Sequence, residues 1–204
     1  RALRFSFNIF NLSNISDILY NIVLVTTLIN KIINLHCLSM KNSTKELVAQ
    51  IIELDSCPFT IHEVHGFFVG LSLSSIDIKS KHEKAIKFLD LTSNLMSSVD
   101  KIIEAINAEF SDNHLEIYSN NLNNSEDIAT AVSEWTYYFL ISYTNGTSDS
   151  DPAEQEILDI FDEISQVNQK YKLDDKQSSM ESLNDINGFI IKSALYLFHR
   201  RAHG

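Results

Sequence analysis

From Met40 onward, apolar residues recur every three or four positions, which is the spacing of amphipathic helices. Capping boxes, in which Ser or Thr is followed three positions later by Glu, mark helix starts at 43–46, 60–63 and 80–83. The pattern predicts helices over approximately 43–54, 61–74, 80–106, 126–143, 152–167 and 183–198.

These segments predict an all-α fold, a single-domain irregular bundle of about six helices over 40–204. The chain has only 5 Gly and 2 Pro, which leaves few places for β-turns. The stretch 80–106 is either one long helix or two helices joined by a mild bend near Ser97-Ser98. A short extended segment is possible at 114–118. The last helix is apolar around much of its circumference, so we expect it to be central.

Two glycines in the second helix, Gly66 and Gly70, lie one turn apart on the same face. A glycine inside a helix costs about 0.5–1 kcal/mol relative to alanine, so the pair predicts close approach of another backbone. Aromatic residues are concentrated in the fourth predicted helix, and at least one of Tyr137 and Tyr138 should reach solvent or a partner. The residues predicted to form helix-packing contacts or an interface are His65, Gly66, Phe67, Gly70, Trp135, Tyr138 and Phe139.

Residues 1–39 are poorly patterned and have three interpretations. They are a signal peptide or membrane anchor with an apolar stretch at 18–29 inside an uncharged stretch at 18–30, an amphipathic helix that packs on the domain, or non-native sequence upstream of a true start at Met40. The uncharged stretch is shorter than the ~20 residues that a spanning helix needs. A capped, well-patterned domain follows Met40 directly, so we favour the third interpretation.

The net charge and the cysteine content restrict which functions the protein can have. The 204-residue chain carries a formal net charge of −11, which would repel a nucleic-acid backbone. We expect no direct nucleic-acid binding, whereas a basic protein partner stays possible. Cys37 and Cys57 are too few for a disulfide framework or a thiolate zinc site, and they suit a reducing cytoplasm.

No complete catalytic constellation is recognised, so we expect a non-enzymatic protein without a cofactor. The sequence His62-Glu63-Val64-His65 is one residue shorter than the zinc-protease motif, and no third metal ligand is obvious. Cys57 could act as a nucleophile with either histidine, but an inert packing role is the simpler interpretation. Asp159 and Glu163 share a helix face, as solvated acidic residues commonly do.

Three segments carry a resemblance to a known family. The run 59–71 resembles the His-Gly-x-x-x-Gly signature of the YgfB/YecA family of uncharacterised bacterial proteins. The run 131–140 is similar to its Trp-x-x-x-Phe-Leu segment, and 182–186 resembles its C-terminal part. The resemblance covers about residues 43–200. Two departures replace glycines of the family pattern, at Ser74-Ser75 and at 141–143.

The resemblance implies the YgfB-like branch, because nothing after Leu197 supplies the zinc-binding tail of YecA. It further implies a cytosolic, dimeric all-α protein with a regulatory or interaction role. The leading hypothesis is therefore a module that binds an unknown protein through an exposed apolar groove around Gly66, Gly70, Phe67 and Trp135. The alternatives are a metal-binding protein or metalloenzyme using His62 and His65, and a membrane-associated protein anchored by residues 1–39.

Overall fold

The described part of the chain is almost entirely helical. The computed structural model describes residues 43–55, 57–91, 95–118, 122, 124–144, 152–170 and 177–203. The predictions made for residues 1–39 lie outside these described residues. Within them the structure has eight helices and no strand, so the predicted all-α class is confirmed. The helices are α1 Thr44–Asp55, α2 Ile61–Leu73, α3 Ile78–Leu89, α4 Met96–Ser111, α5 Ser125–Thr144, α6 Pro152–Ile164, α7 Val167–Lys170 and α8 Gln177–His203.

The first two helix starts follow the predicted local chemistry. The Ser43 hydroxyl accepts from the Glu46 backbone N–H at 3.3 Å, and the Glu46 carboxylate accepts from the Ser43 N–H at 3.1 Å. Thr60 and Glu63 form the same reciprocal pair at the start of α2, at 3.3 and 2.6 Å. Pro152 is the first residue of α6, where its missing N–H has no cost. These predictions are confirmed.

The prediction for the third helix is wrong about where the helix begins and about where it is interrupted. Its N-cap is Asp77, whose carboxylate accepts from the Ser80 N–H at 3.1 Å, so α3 begins before the predicted capping box. It ends where Asp90 adopts a left-handed conformation, φ 53°, and the Leu91 N–H returns to the Ile86 carbonyl at 3.0 Å. The Ser97-Ser98 pair, where a bend was expected, lies inside α4.

Two further expectations are corrected by the structure. Residues 114–117 are irregular and form no strand among the described residues, although Leu115 and Ile117 are buried. The last helix is not central, because its fully buried positions lie on one face, which packs on α5, on α6 and, less extensively, on α2. Those buried apolar positions are Leu183, Ile190, Ala194 and Leu197.

The core is built around the contact between α2 and α5, which is more extensive than any other helix pair of the described residues. A Cβ built at Gly66 would lie 2.1 Å from the Trp135 carbonyl oxygen, and one at Gly70 would lie 2.4 Å from the Phe139 carbonyl oxygen. The close backbone approach predicted from the two glycines is therefore present. Because successive turns of α2 meet successive turns of α5, the two helices run side by side in the same direction.

Parallel neighbours bring two helix C-termini, each with negative partial charge, to the same end of the bundle. Two lysines of α3 occupy that end. Lys81 Nζ donates to the Ser72 carbonyl of α2 at 2.9 Å, and Lys84 Nζ donates to the Ser142 carbonyl of α5 at 2.8 Å. Burial lowers the pKa of both ammonium groups. The lysines therefore satisfy last-turn carbonyls and complement both dipoles, a role that the linear sequence does not reveal.

Candidate functional site

The residues predicted to form an exposed groove are mostly inside the protein. Tyr138 is partly exposed, whereas the other six are buried. The prediction of an exposed groove around the glycines is therefore wrong, because α5 packs closely on α2 and covers these residues. The six buried residues are His65, Gly66, Phe67, Gly70, Trp135 and Phe139.

His65 is a core histidine with a defined partner. The Trp135 indole N–H donates to His65 Nδ1 at 3.1 Å, and the Tyr118 ring stacks on the imidazole with centroids 4.3 Å apart. Burial, helped by nearby His62, lowers the pKa of His65 to about 3. The imidazole is thus neutral near pH 7 and links α2 to α5.

The same hydrogen bond argues against His65 as a metal ligand. Since Nδ1 accepts the indole proton, the proton of the neutral ring is on Nε2, and neither nitrogen then offers a free lone pair. Across the described ranges, no group of three or more His, Cys, Asp or Glu side chains could hold a metal ion. The geometry does not bring His62 and His65 together as a metal centre.

The other residues considered for chemistry have ordinary surroundings. The Cys57 thiol is 3.8 Å from the Leu89 carbonyl oxygen, at the packed end of α3. On the exposed face of α6, Asp159 accepts from the Gln155 amide at 2.7 Å. Neither arrangement pairs a nucleophile with a base, so the described residues give no support to catalysis by these groups.

A different group of aromatic residues does reach the surface. We define the aromatic patch as Phe59, Phe88, Tyr137 and Tyr138, contributed by the segment before α2, by α3 and by α5. The Tyr138 ring lies 5.5 Å from that of Phe59, 5.9 Å from that of Phe88 and 5.3 Å from that of Tyr137. Tyr137 is 50% exposed, and the other three are partly buried. The prediction that at least one of the two tyrosines reaches solvent is confirmed.

The patch rests on a rigid base. Phe67 of α2 is fully buried, and its ring stacks on that of Phe88 with centroids 4.8 Å apart and planes 7° apart. The rings of the patch are therefore held in position by the packed core, which lowers the entropy cost of using them in a contact.

Two carboxylates border the patch, and both are bound to Thr60. The Glu63 carboxylate accepts from the Thr60 N–H at 2.6 Å, and the Glu134 carboxylate accepts from the Thr60 hydroxyl at 2.8 Å. Glu63 also lies beside Tyr138: burial first, and then the charge of this carboxylate, raises the pKa of Tyr138. Burial also raises the pKa of Glu134, and the charge of Glu63 adds to that shift.

The sequence predicts part of this site. Tyr138 is predicted at an interface and Glu63 as a helix cap, whereas Phe59, Phe88 and Glu134 are not predicted there. The spacing of Glu134, Tyr137 and Tyr138, at i, i+3 and i+4, was an available signal that they share a helix face. The contributions of α2 and α3 depend on tertiary packing.

The chain matches no protein-family model, and no curated protein is significantly similar to it. The resemblance to YgfB-like proteins therefore stays a prediction. Within the part of the chain that the structure describes, no helix combines the length and apolar character needed to cross a membrane.

Proposed function

We propose that this protein is a non-enzymatic helical interaction module that binds another protein through the aromatic patch. The observation that carries the proposal is the half-exposed Tyr137 beside three further aromatic rings in contact, on a rigid helical base. Tyrosine and phenylalanine are enriched at protein–protein interfaces, where they bury large areas at low cost in side-chain entropy.

Charge favours a basic segment of the partner. The chain has a net charge of −11, and Glu63 and Glu134 lie beside the patch. A partner segment that combines apolar side chains with lysine or arginine would match both properties, while an acidic segment would be repelled.

The resemblance to the YgfB-like branch supports three further parts of the proposal: membership of that family, a cytoplasmic location and a homodimer. The dimer is testable by sedimentation velocity of the full chain, which should show a species of about twice 23.2 kDa. A monomer at all concentrations would refute that part without affecting binding by the patch.

Comparison of two matched tyrosine variants tests the main proposal. The full chain, Tyr137→Ser and Tyr196→Ser would each be immobilised and used to capture proteins from an extract of the cells in which the chain naturally occurs. Tyr196 on α8 is 46% exposed, so its variant removes an equally exposed ring outside the patch. A protein enriched by the parent and by Tyr196→Ser, but lost with Tyr137→Ser, would then be purified.

Calorimetry with that purified protein should show direct binding that weakens about tenfold or more with Tyr137→Ser, as for an interface hot spot. Equal affinity for the two variants would refute the patch as the binding surface. Conversion of a dimer to a monomer by Tyr137→Ser would identify a second copy of the chain as the occupant and overturn the proposal of a different partner.

A further inference from the structure

Two carboxylates lie close together at the edge of the aromatic patch. Glu63 and Glu134 are held by the same residue, Thr60, through its N–H and its hydroxyl. Among the ion pairs of the described residues, none involves either carboxylate. Like charges held near each other in a partly buried position repel, so this arrangement favours the arrival of a positive group.

The same protein contains an internal arrangement in which that positive group is present. The Tyr143 hydroxyl donates to the Glu154 carboxylate at 2.7 Å. The Arg201 guanidinium carbon lies 4.5 Å from the centre of the Tyr143 ring, and Arg201 Nη2 is 3.6 Å from the Glu154 oxygen. A tyrosine bound to a glutamate, with an arginine over the ring and paired with the carboxylate, is thus a contact that this fold already uses.

The aromatic patch repeats two of these three components five residues earlier on α5. Tyr138 lies beside the Glu63 carboxylate, as Tyr143 lies beside Glu154, although of these two pairs only Tyr143 and Glu154 form a direct hydrogen bond. Glu134 supplies a second carboxylate, and Tyr137 supplies an exposed ring on the same face of the helix.

We propose that Glu63, Glu134, Tyr137 and Tyr138 form a recognition site for an arginine side chain of the partner protein. This inference rests on the proposed function, because it specifies which side chain of the partner the aromatic patch binds. The guanidinium donates to both carboxylates, while its plane lies on the exposed Tyr137 ring. Arginine fits better than lysine, since its planar fork offers several N–H donors at once and stacks on aromatic faces.

A pair of isosteric peptides tests this site without changing the protein. The probes are the acetylated and amidated tripeptide Leu-Arg-Leu and its counterpart with citrulline, which keeps the shape of arginine but has no charge. Each is titrated into the full chain while the ring signals of Tyr137 and Tyr138 are followed by nuclear magnetic resonance. The arginine peptide should shift both rings saturably and bind about tenfold more tightly than the citrulline peptide.

Matched double variants supply the second arm. Glu63→Gln/Glu134→Gln keeps an acceptor for each Thr60 hydrogen bond, and glutamine also serves in a capping box, so α2 should still form. Glu156→Gln/Glu163→Gln removes two exposed carboxylates of α6 and changes the net charge equally. Binding of the arginine peptide should be lost in the first variant and kept in the second.

Equal binding of the two peptides, or arginine binding that survives Glu63→Gln/Glu134→Gln, would overturn the arginine site. Its failure is distinguishable from failure of the proposed function. A natural partner that is lost with Tyr137→Ser but retained by the Glu63→Gln/Glu134→Gln protein would leave the interaction module intact and remove only the arginine site.

Discussion

Replacing Gly66 by alanine should strongly destabilise the protein, although alanine is the better helix former. The new Cβ would lie 2.1 Å from the Trp135 carbonyl oxygen and 2.8 Å from its carbonyl carbon. Ordinary contact begins at 3.4 Å, so α2 and α5 would have to separate by about 1.3 Å, the difference between 3.4 and 2.1 Å. The clashing atoms are backbone, which cannot rotate away as a side chain could.

The cost follows from two opposing effects. Alanine gains about 1 kcal/mol in helix propensity over glycine. Overpacking of a tight core typically costs 1–3 kcal/mol and occasionally more. Here the shift affects the most extensive helix pair of the described residues, so we expect an overpacking cost of about 3 kcal/mol and a net loss of about 2 kcal/mol, a substantial part of the ~5–15 kcal/mol stability of a typical domain.

Gly188→Ala is the matched control. Gly188 also lies inside a helix, α8, but a Cβ there would meet no atom of the described residues within 4 Å. The same substitution should therefore raise the free energy of unfolding by about 0.5–1 kcal/mol. Both variants add the same methyl group inside a helix, but of the two only Gly66→Ala places it against a backbone.

Urea unfolding of the full-length variants, followed by far-ultraviolet circular dichroism, measures both changes through the transition midpoint at constant slope. Fluorescence of the single tryptophan, Trp135, reports the α2–α5 contact itself. A Gly66→Ala midpoint equal to or above that of the parent would refute the close helix approach and the packing argument built on it.

Two further variants probe the polar contacts of the core. His65→Asn keeps an acceptor for the Trp135 indole but cannot take up a proton. The pKa of His65 is about 3 in the folded protein and near 6.5 in the unfolded chain, so protonation favours unfolding as the pH falls. Between pH 7 and pH 5 the parent should therefore lose about 2 kcal/mol of stability through this residue, whereas the variant should not. A stability gap between the two proteins that is independent of pH over this range would contradict the buried neutral imidazole. Lys84→Met keeps the apolar stem but removes the donor to the Ser142 carbonyl, so chemical denaturation should show a loss of about 1 kcal/mol, against little change for exposed Lys101→Met; equal effects would refute its role at the helix end.

Local patterns correctly predicted the all-α class and several helix boundaries, because the decisive interactions join residues three or four positions apart. The capping boxes at 43–46 and 60–63 and the proline at 152 are of this kind. The start of α3 was missed for a local reason as well, since Asp77 and Ser80 are both competent caps and Asp77 lies one turn earlier. Periodicity alone could not show that Asp90 turns left-handed and divides the predicted long helix.

The candidate site was only partly predictable, because its residues come from separate helices. The sequence indicated that Gly66 and Gly70 meet a backbone, but it did not say which one, and so the surrounding aromatic residues were assigned to a surface.

Local sequence patterns therefore predict most of the helices and the two glycines, Gly66 and Gly70, on one face of α2. Tertiary packing places α5 over these glycines, buries His65 against Trp135, and brings Glu63 and Glu134 together at Thr60. The physical reason is range: caps and helical periodicity act within one turn of chain, whereas burial and charge pairing depend on which distant segments the packing of the core brings together.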